Sequence, residues 1–377
     1  IQEAQEQVQV KDQEKKSEGA VVISHEAKKE VEQTPIPIKE VSQSEVLETQ
    51  RAFVKLLTIK GMIVDMAQIK KLSHPNQLAI FKMMLNQGYS IRDVGGIAKL
   101  STDIHLEAMK ILTGAGYSIA YDQIRALTTP QQVNMLRAMV KEGYKKLGQD
   151  KKILNTTGLA SLDATGKIGD LYQSVMEAIT RAGKNINYEQ IKALSNENQV
   201  AMLKMMLDHG YGEKELNFSG LETLSSDVHK DAMKVLTDAG YQINFDQIAL
   251  LKNQNQVAIL KSFIKNNYNN GEKGKLNFKF ISENNLSTDV HQAAVETYVL
   301  ASKSIYSDII SRFKNMNQVE VLKMLIKNNY FHSNEAAKNA LTWIAALSDV
   351  TTSQVDAIRE MSASGKALPS TEAIKLF

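Results

Sequence analysis

One spacing recurs five times along the chain and never changes. The Gln of phrases such as NQVAMLKMMLDHGY (198–211) falls at Gln77, Gln132, Gln199, Gln256 and Gln318. A second phrase, LSTDIHLEAMKILTGAGYSI at 100–119, returns as LSSDVHKDAMKVLTDAGYQI at 224–243 and LSTDVHQAAVETYVLASKSI at 286–305. Its His defines a second slot, filled by His105, His229 and His291, and by Gln50 and Tyr172 when the following residues are aligned. From each occupant of this slot to the next anchoring Gln is 27 residues. Between pairs the spacing varies: 28, 40, 30 and 35 residues, with a partial sixth unit at Gln354. A fixed period of this kind means that one supersecondary unit is repeated and stacked.

Each phrase reads as one amphipathic helix. Val200, Leu203, Met206 and Leu207 stand at i, i+3, i+6 and i+7 and form one apolar stripe. The helix stops at Gly210-Tyr211, and GlyTyr recurs at 88–89, 116–117, 143–144 and 240–241. Gly takes the left-handed backbone that closes a helix, and Asn is the next best residue for it. Asn267-Tyr268 and Asn329-Tyr330 should therefore keep the same geometry. Ser101, Ser225 and Ser287, each followed by an Asp in the first turn, suit helix starts. Short helices are expected at 121–127, 188–194 and 245–251, and short pieces at 95–101 and 219–225.

The expected fold is all-α: an α-solenoid of helix-turn-helix half-units, paired into repeats of about 55–67 residues. Five two-part repeats and a degenerate C-terminal cap, including Trp343 and the 353–358 segment, would fill 44–377. Residues 1–43 contain no aromatic residue and read as a disordered acidic leader. Residues 1–50 carry a net −5 and the remaining 327 a net +8, a surplus too thin to argue for nucleic acid by itself. Cysteine is absent, so no disulfide, thiolate metal site or cysteine nucleophile is available. No run of about 18 apolar residues suggests a transmembrane helix.

The repeat slots argue against chemistry. Three histidines about 60 residues apart on successive helices are a repeat signature before they are a ligand set, and no H-E-x-x-H occurs. The Met-rich stretches at 83–84 and 205–206 recur at helical spacing and read as core. Gly166-Lys167 is followed by Ile168, so no phosphate loop forms there, and no G-x-S-x-G elbow exists. No catalytic, metal or cofactor-binding residue is assigned.

The half-unit at 188–211 resembles two repeat families. Its end, L-x-x-x-G-Y, resembles the second helix of ankyrin repeats, without their T-P-L-H signature. Its start, EQIKALSN, is similar to the first helix of transcription-activator-like effector repeats, whose Gly-rich loop reads DNA bases. Here that loop, 195–198, has no Gly and carries Glu197. Base reading through that loop does not follow from the resemblance.

The variation in spacing lies in one connection, at about 145–169, 212–223, 269–285 and 331–350. In stacked repeats these segments share one edge, where a binding side is often built. Two of them carry cations: Lys145, Lys146, Lys151 and Lys152 in the first, and Lys273, Lys275 and Lys279 with Phe278 in the third. These are the candidate interaction residues. The expected function is non-catalytic binding of a protein partner, with nucleic-acid binding along a basic stripe as the alternative. The Lys-, Asn- and Ile-rich composition has the character of an AT-rich bacterial genome, which suits a bacterial effector or surface protein; the compartment stays open.

Overall fold

Eleven long helices carry the architecture, and each opens on a capping residue or a longer first turn that the sequence supplies. The computed structural model describes residues 41–89, 94–144, 154–212, 217–267, 276–301, 305–365 and 367–377. Within them lie 21 α-helices, one 3-10 turn and no β-strand. The long helices are α1 (Gln43–Ile59), α2 (Pro75–Asn86), α3 (Asp103–Gly114), α4 (Pro130–Lys141), α5 (Gly166–Arg181) and α6 (Glu197–Asp208). They continue as α7 (Asp227–Asp238), α8 (Gln254–Lys265), α9 (Asp289–Val299), α10 (Met316–Lys327) and α11 (Thr352–Ala363). Short helices at Tyr121–Arg125, Tyr188–Lys192 and Phe245–Ala249 stand where the sequence places them. Apart from residues 41–43, the acidic leader lies outside the described residues; Ser42 caps α1, so the helical body begins at Gln43.

Consecutive long helices pack on one another in chain order, from α1 on α2 to α10 on α11. They run parallel, because N-terminus is tied to N-terminus and C-terminus to C-terminus. At the starts, Asn76 of α2 donates to the Ser101 carbonyl and to Asp103 of α3, and Asn255 of α8 does the same to Ser287 and Asp289 of α9. At the ends, the Tyr89 hydroxyl after α2 donates to the Tyr117 carbonyl after α3, and Tyr211 after α6 donates to the Tyr241 carbonyl after α7. The connection back to the next start is made by the short helices. Where Gly96, Gly158 and Gly220 lie in this row, a Cβ would collide with the ring of Tyr121, Tyr188 or Phe245, each the first residue of the following short helix. The fourth such pair is exchanged: Phe280 stands in the Gly slot, and Ser307 stands where the aromatic residue stood.

The helix ends confirm the reading of Gly and Asn. Gly88, Gly116, Gly143, Gly210 and Gly240 have positive φ, and Asn267 and Asn329 replace them at φ 52° and 64°. The Tyr89 amide reaches back to the Met84 carbonyl, the six-residue bond of this closure. The methionines are core: Met84, Met109, Met135, Met176, Met202, Met206 and Met233 are all buried.

Two expectations need correction. The capping residues are Thr102, Ser226 and Thr288, one position after Ser101, Ser225 and Ser287. In a Ser-Thr-Asp or Ser-Ser-Asp run, either hydroxyl could cap. The choice goes to the residue three before the buried His, whose side chain completes the cap. The 331–350 segment is not a projecting loop either. Asn334–Ala346 is a helix of 13 residues that occupies the short-helix position and buries Ala337, Ala340, Leu341 and Ile344. It anchors the C-terminal end, where the Trp343 Nε1–H donates to the Pro369 carbonyl.

Candidate functional site

The repeated polar residues are the first candidates for chemistry, and their surroundings show how each is occupied. The anchoring Gln sits in the third position of its helix, where the first-turn N–H groups lack helical partners. The Gln199 Oε1 accepts from the Ser195 and Asn196 amides at 2.6 and 3.2 Å, while its Nε2 donates to the Glu222 carbonyl of the next short turn at 3.2 Å. Gln77 joins Ser73 and His74 to Ala98 in the same way, and Gln318 joins Lys314 and Asn315 to Ile344. All five anchors are at most 2% exposed. One amide thus closes its own helix and clamps it to the following element.

The His slot uses the same device. The Nδ1 of His105 accepts from the Thr102 amide and its Nε2 faces the Arg125 carbonyl at 3.3 Å. His229 and His291 take the Ser225 and Ser287 amides on Nδ1. Gln50 donates to the Leu72 carbonyl, and the Tyr172 hydroxyl to the Lys192 carbonyl. Burial holds the pKa of all three histidines below the ordinary value. Neutral imidazole is what the slot needs, since only an unprotonated Nδ1 can accept. These side chains have both ends engaged and none left for a substrate.

A further ladder was not noticed in the sequence. Gln68, Gln123, Gln190 and Gln247 of the short helices each accept from the backbone of the next short segment: Val94, Thr156, Phe218 and Phe278. Their separations, 55, 67 and 57 residues, match those of Gln77, Gln132, Gln199 and Gln256. That identity of spacing was the available signal.

The one exposed His–carboxylate pair is His209 with Asp238, 3.2 Å apart across the ends of α6 and α7. The second ring nitrogen of His209 faces the Met205 carbonyl at 2.8 Å. The Asp238 carboxyl is held below the usual range, first by its hydrogen bond from Lys234. With both imidazole nitrogens turned to oxygen acceptors, no nitrogen is free to take a proton from a substrate. Among the described residues, no group of three or more His, Asp and Glu is placed to hold a metal ion. No described helix is long and apolar enough to cross a membrane.

The interaction residues expected from the sequence fall into two sets. Lys145, Lys146, Lys151, Lys152, Lys273 and Lys275 lie outside the described residues. Phe278 is 1% exposed and fills the core, so its ring is not a surface contact; its amide is the one that Gln247 holds. Lys279 is exposed and pairs with Glu283 at 2.8 Å.

Open grooves run between neighbouring long helices. One of about 930 Å³ lies between α5 and α6, with Ile168, Leu171, Val200 and Ala201 in it and Lys167, Glu197 and Lys204 at its rim. Another of about 720 Å³ lies between α7 and α8, over Val235, Val257, Ala258 and Ile264. No known protein family, curated protein or solved structure matches this chain.

Proposed function

We propose that the chain is a non-catalytic binding scaffold, an α-solenoid of five two-part repeats closed by the 334–377 segment, whose partner is a protein segment. The observation that carries this reading is the division of labour among side chains. Repeated polar groups are consumed in ties between successive elements, while the exposed faces of the long helices leave grooves with aliphatic floors and rims of both charge signs. Nearest-neighbour ties of one kind, reused at each step, are what a stacked array requires. An aliphatic floor with a charged rim suits an amphipathic segment laid across the helices.

Ala201 and Ala258 set the depth of the two grooves. Replacing both with Trp fills them without touching a buried tie. With the full chain immobilised, a protein retained by the native form should be lost, at least tenfold, on the Ala201→Trp/Ala258→Trp variant of unchanged melting temperature. Equal retention would move the binding side away from the grooves. Loss on shortening the 145–153 and 268–275 segments instead would place it on the variable edge.

A further inference from the structure

The exposed faces carry a second regularity, independent of the grooves. Five residues beyond each slot, the eleven long helices present Lys55, Lys82, Lys110, Arg137, Glu177, Lys204, Lys234, Lys261, Glu296, Lys323 and Arg359. Nine of the eleven are cations, and each of the nine is exposed. The anchors on either side are buried structural ties, so packing does not require a cation here. The ties at helix starts and ends fix the register of neighbours, so equivalent positions stand side by side. Helices in contact lie roughly 8–10 Å apart, which sets the step of this row. Glu177 and Glu296 interrupt it, and the longest unbroken run is Lys55, Lys82, Lys110 and Arg137 on α1 to α4. Lys141, exposed one turn beyond Arg137, extends it. Within this run Lys110 is paired with Glu107 at 2.6 Å, Arg137 holds the Asn134 side chain, and no ion pair engages Lys55 or Lys82 among the described residues.

We propose that the exposed faces of α1 to α4 form a track for the phosphodiester backbone of nucleic acid. A folded protein surface does not repeat its charges at a constant step; a phosphodiester chain does. Lys offers a point charge without the planar fork of Arg, which suits neutralising phosphates. No aromatic residue occupies the register, so no base-stacking platform accompanies it. The track therefore binds by charge, without reading bases. It lies on helices other than those that line the two grooves, so either reading can fail without the other.

The test uses the full chain and two fluorescein-labelled 30-mers of mixed sequence, one duplex and one single-stranded, by fluorescence anisotropy between 50 and 200 mM NaCl. Neutralising about four phosphates gives a slope of log K against log salt near −3.6 for the duplex and about −2.8 for the single strand. Two unrelated sequences should bind within about threefold of each other, as charge-only contact requires. Lys55→Gln/Lys82→Gln/Lys110→Gln/Arg137→Gln should weaken binding at 50 mM by about 100-fold or more and flatten the slope. Lys60→Gln/Lys71→Gln/Lys252→Gln/Lys314→Gln removes the same charge off the row and should cost less than about threefold. Glu177→Lys joins the two longest runs; it should tighten binding and steepen the slope by about 1, a gain that an unfolded variant cannot mimic. No binding of either probe at 50 mM, or equal losses in the two quadruple variants, overturns the proposal. So does binding of a poly-glutamate peptide by the row with no binding of either nucleic acid, an outcome that leaves the protein-binding scaffold standing.

Discussion

Gln132→Leu is expected to remove about 3–5 kcal/mol of stability, a large share of the roughly 5–15 kcal/mol that holds a folded domain together. Gln132 is 2% exposed. Its Oε1 accepts from the Thr128 and Thr129 amides at 2.7 and 3.1 Å, and its Nε2 donates to the Leu162 and Leu159 carbonyls at 3.0 and 3.2 Å. Leu has a similar volume, so little cavity is made. What is lost is satisfaction: two amides at a helix start and carbonyls of the next segment stay buried without this partner. Each such group costs about 1–3 kcal/mol, and partial relaxation keeps the total below the simple sum. Gln132→His should lose less than half as much, because His105 and His291 perform the same two-ended task in the sister slot. Neighbouring Gln131, which reaches only Asp170 at 3.4 Å, should tolerate Ala within about 0.5 kcal/mol. Urea unfolding followed by circular dichroism ranks the three. A Leu variant within about 1 kcal/mol of the native chain would show that the Gln clamp is incidental.

The second large effect is a loss of stability in mild acid. His105, His229 and His291 accept an amide hydrogen on Nδ1, which protonation forbids, and burial lowers the pKa of each. Backbone carbonyls of Arg125 and Leu127, of Ala249 and Leu251, and of Ser311 and Phe313 face the rings and oppose this shift; the Arg125 charge reinforces it at His105. In the window between the lowered folded value and the unfolded value near 6.5, the unfolded chain binds more protons than the folded one. Stability therefore rises with pH through that window. The contribution is complete above about pH 6.5 and is lost as pH falls below it. Gln50 shows that Gln fits the slot, so His105→Gln/His229→Gln/His291→Gln should flatten the fall in melting temperature between pH 7.5 and 5.0. The single variants at His105 and His291, which are 6% and 7% exposed, should each remove more of the fall than the one at half-buried His229. Parallel curves for native and triple variant would contradict the assignment.

How much of this was legible in the sequence depends on what kind of interaction each residue makes. Gly and Asn at helix ends were legible because they answer to the backbone alone: a positive φ admits few residues, and Asn267 and Asn329 meet that demand. The anchoring Gln was visible as a repeat, yet its task was not. The task needs the position of a carbonyl more than 20 residues away, Ala98 for Gln77 and Glu222 for Gln199. The capping hydroxyls were misplaced by one residue because Ser and Thr adjoin, and the deciding partner is the His side chain. Phe278 looked like an aromatic residue among loop lysines; its neighbours in the chain are polar, and only the packing shows that it belongs to the core. The cation row was hidden for a different reason. A thin surplus of charge says nothing about order, and the order appears only once the slots have put every long helix in register.

The central claim is that each long helix touches only its neighbours in the chain, so that distance along the stack grows with every helix added. The chain has no cysteine, so two introduced cysteines report a single pair of spin labels. Lys82→Cys combined in turn with Lys110→Cys, Arg137→Cys, Glu177→Cys and Lys204→Cys spans one, two, three and four helix steps from α2. With steps of roughly 8–10 Å, the four label distances should rise monotonically, the last exceeding the first by more than twofold. A set that levels off or shortens after the second step would mean that the helices close into a bundle, and the stacked array would be wrong.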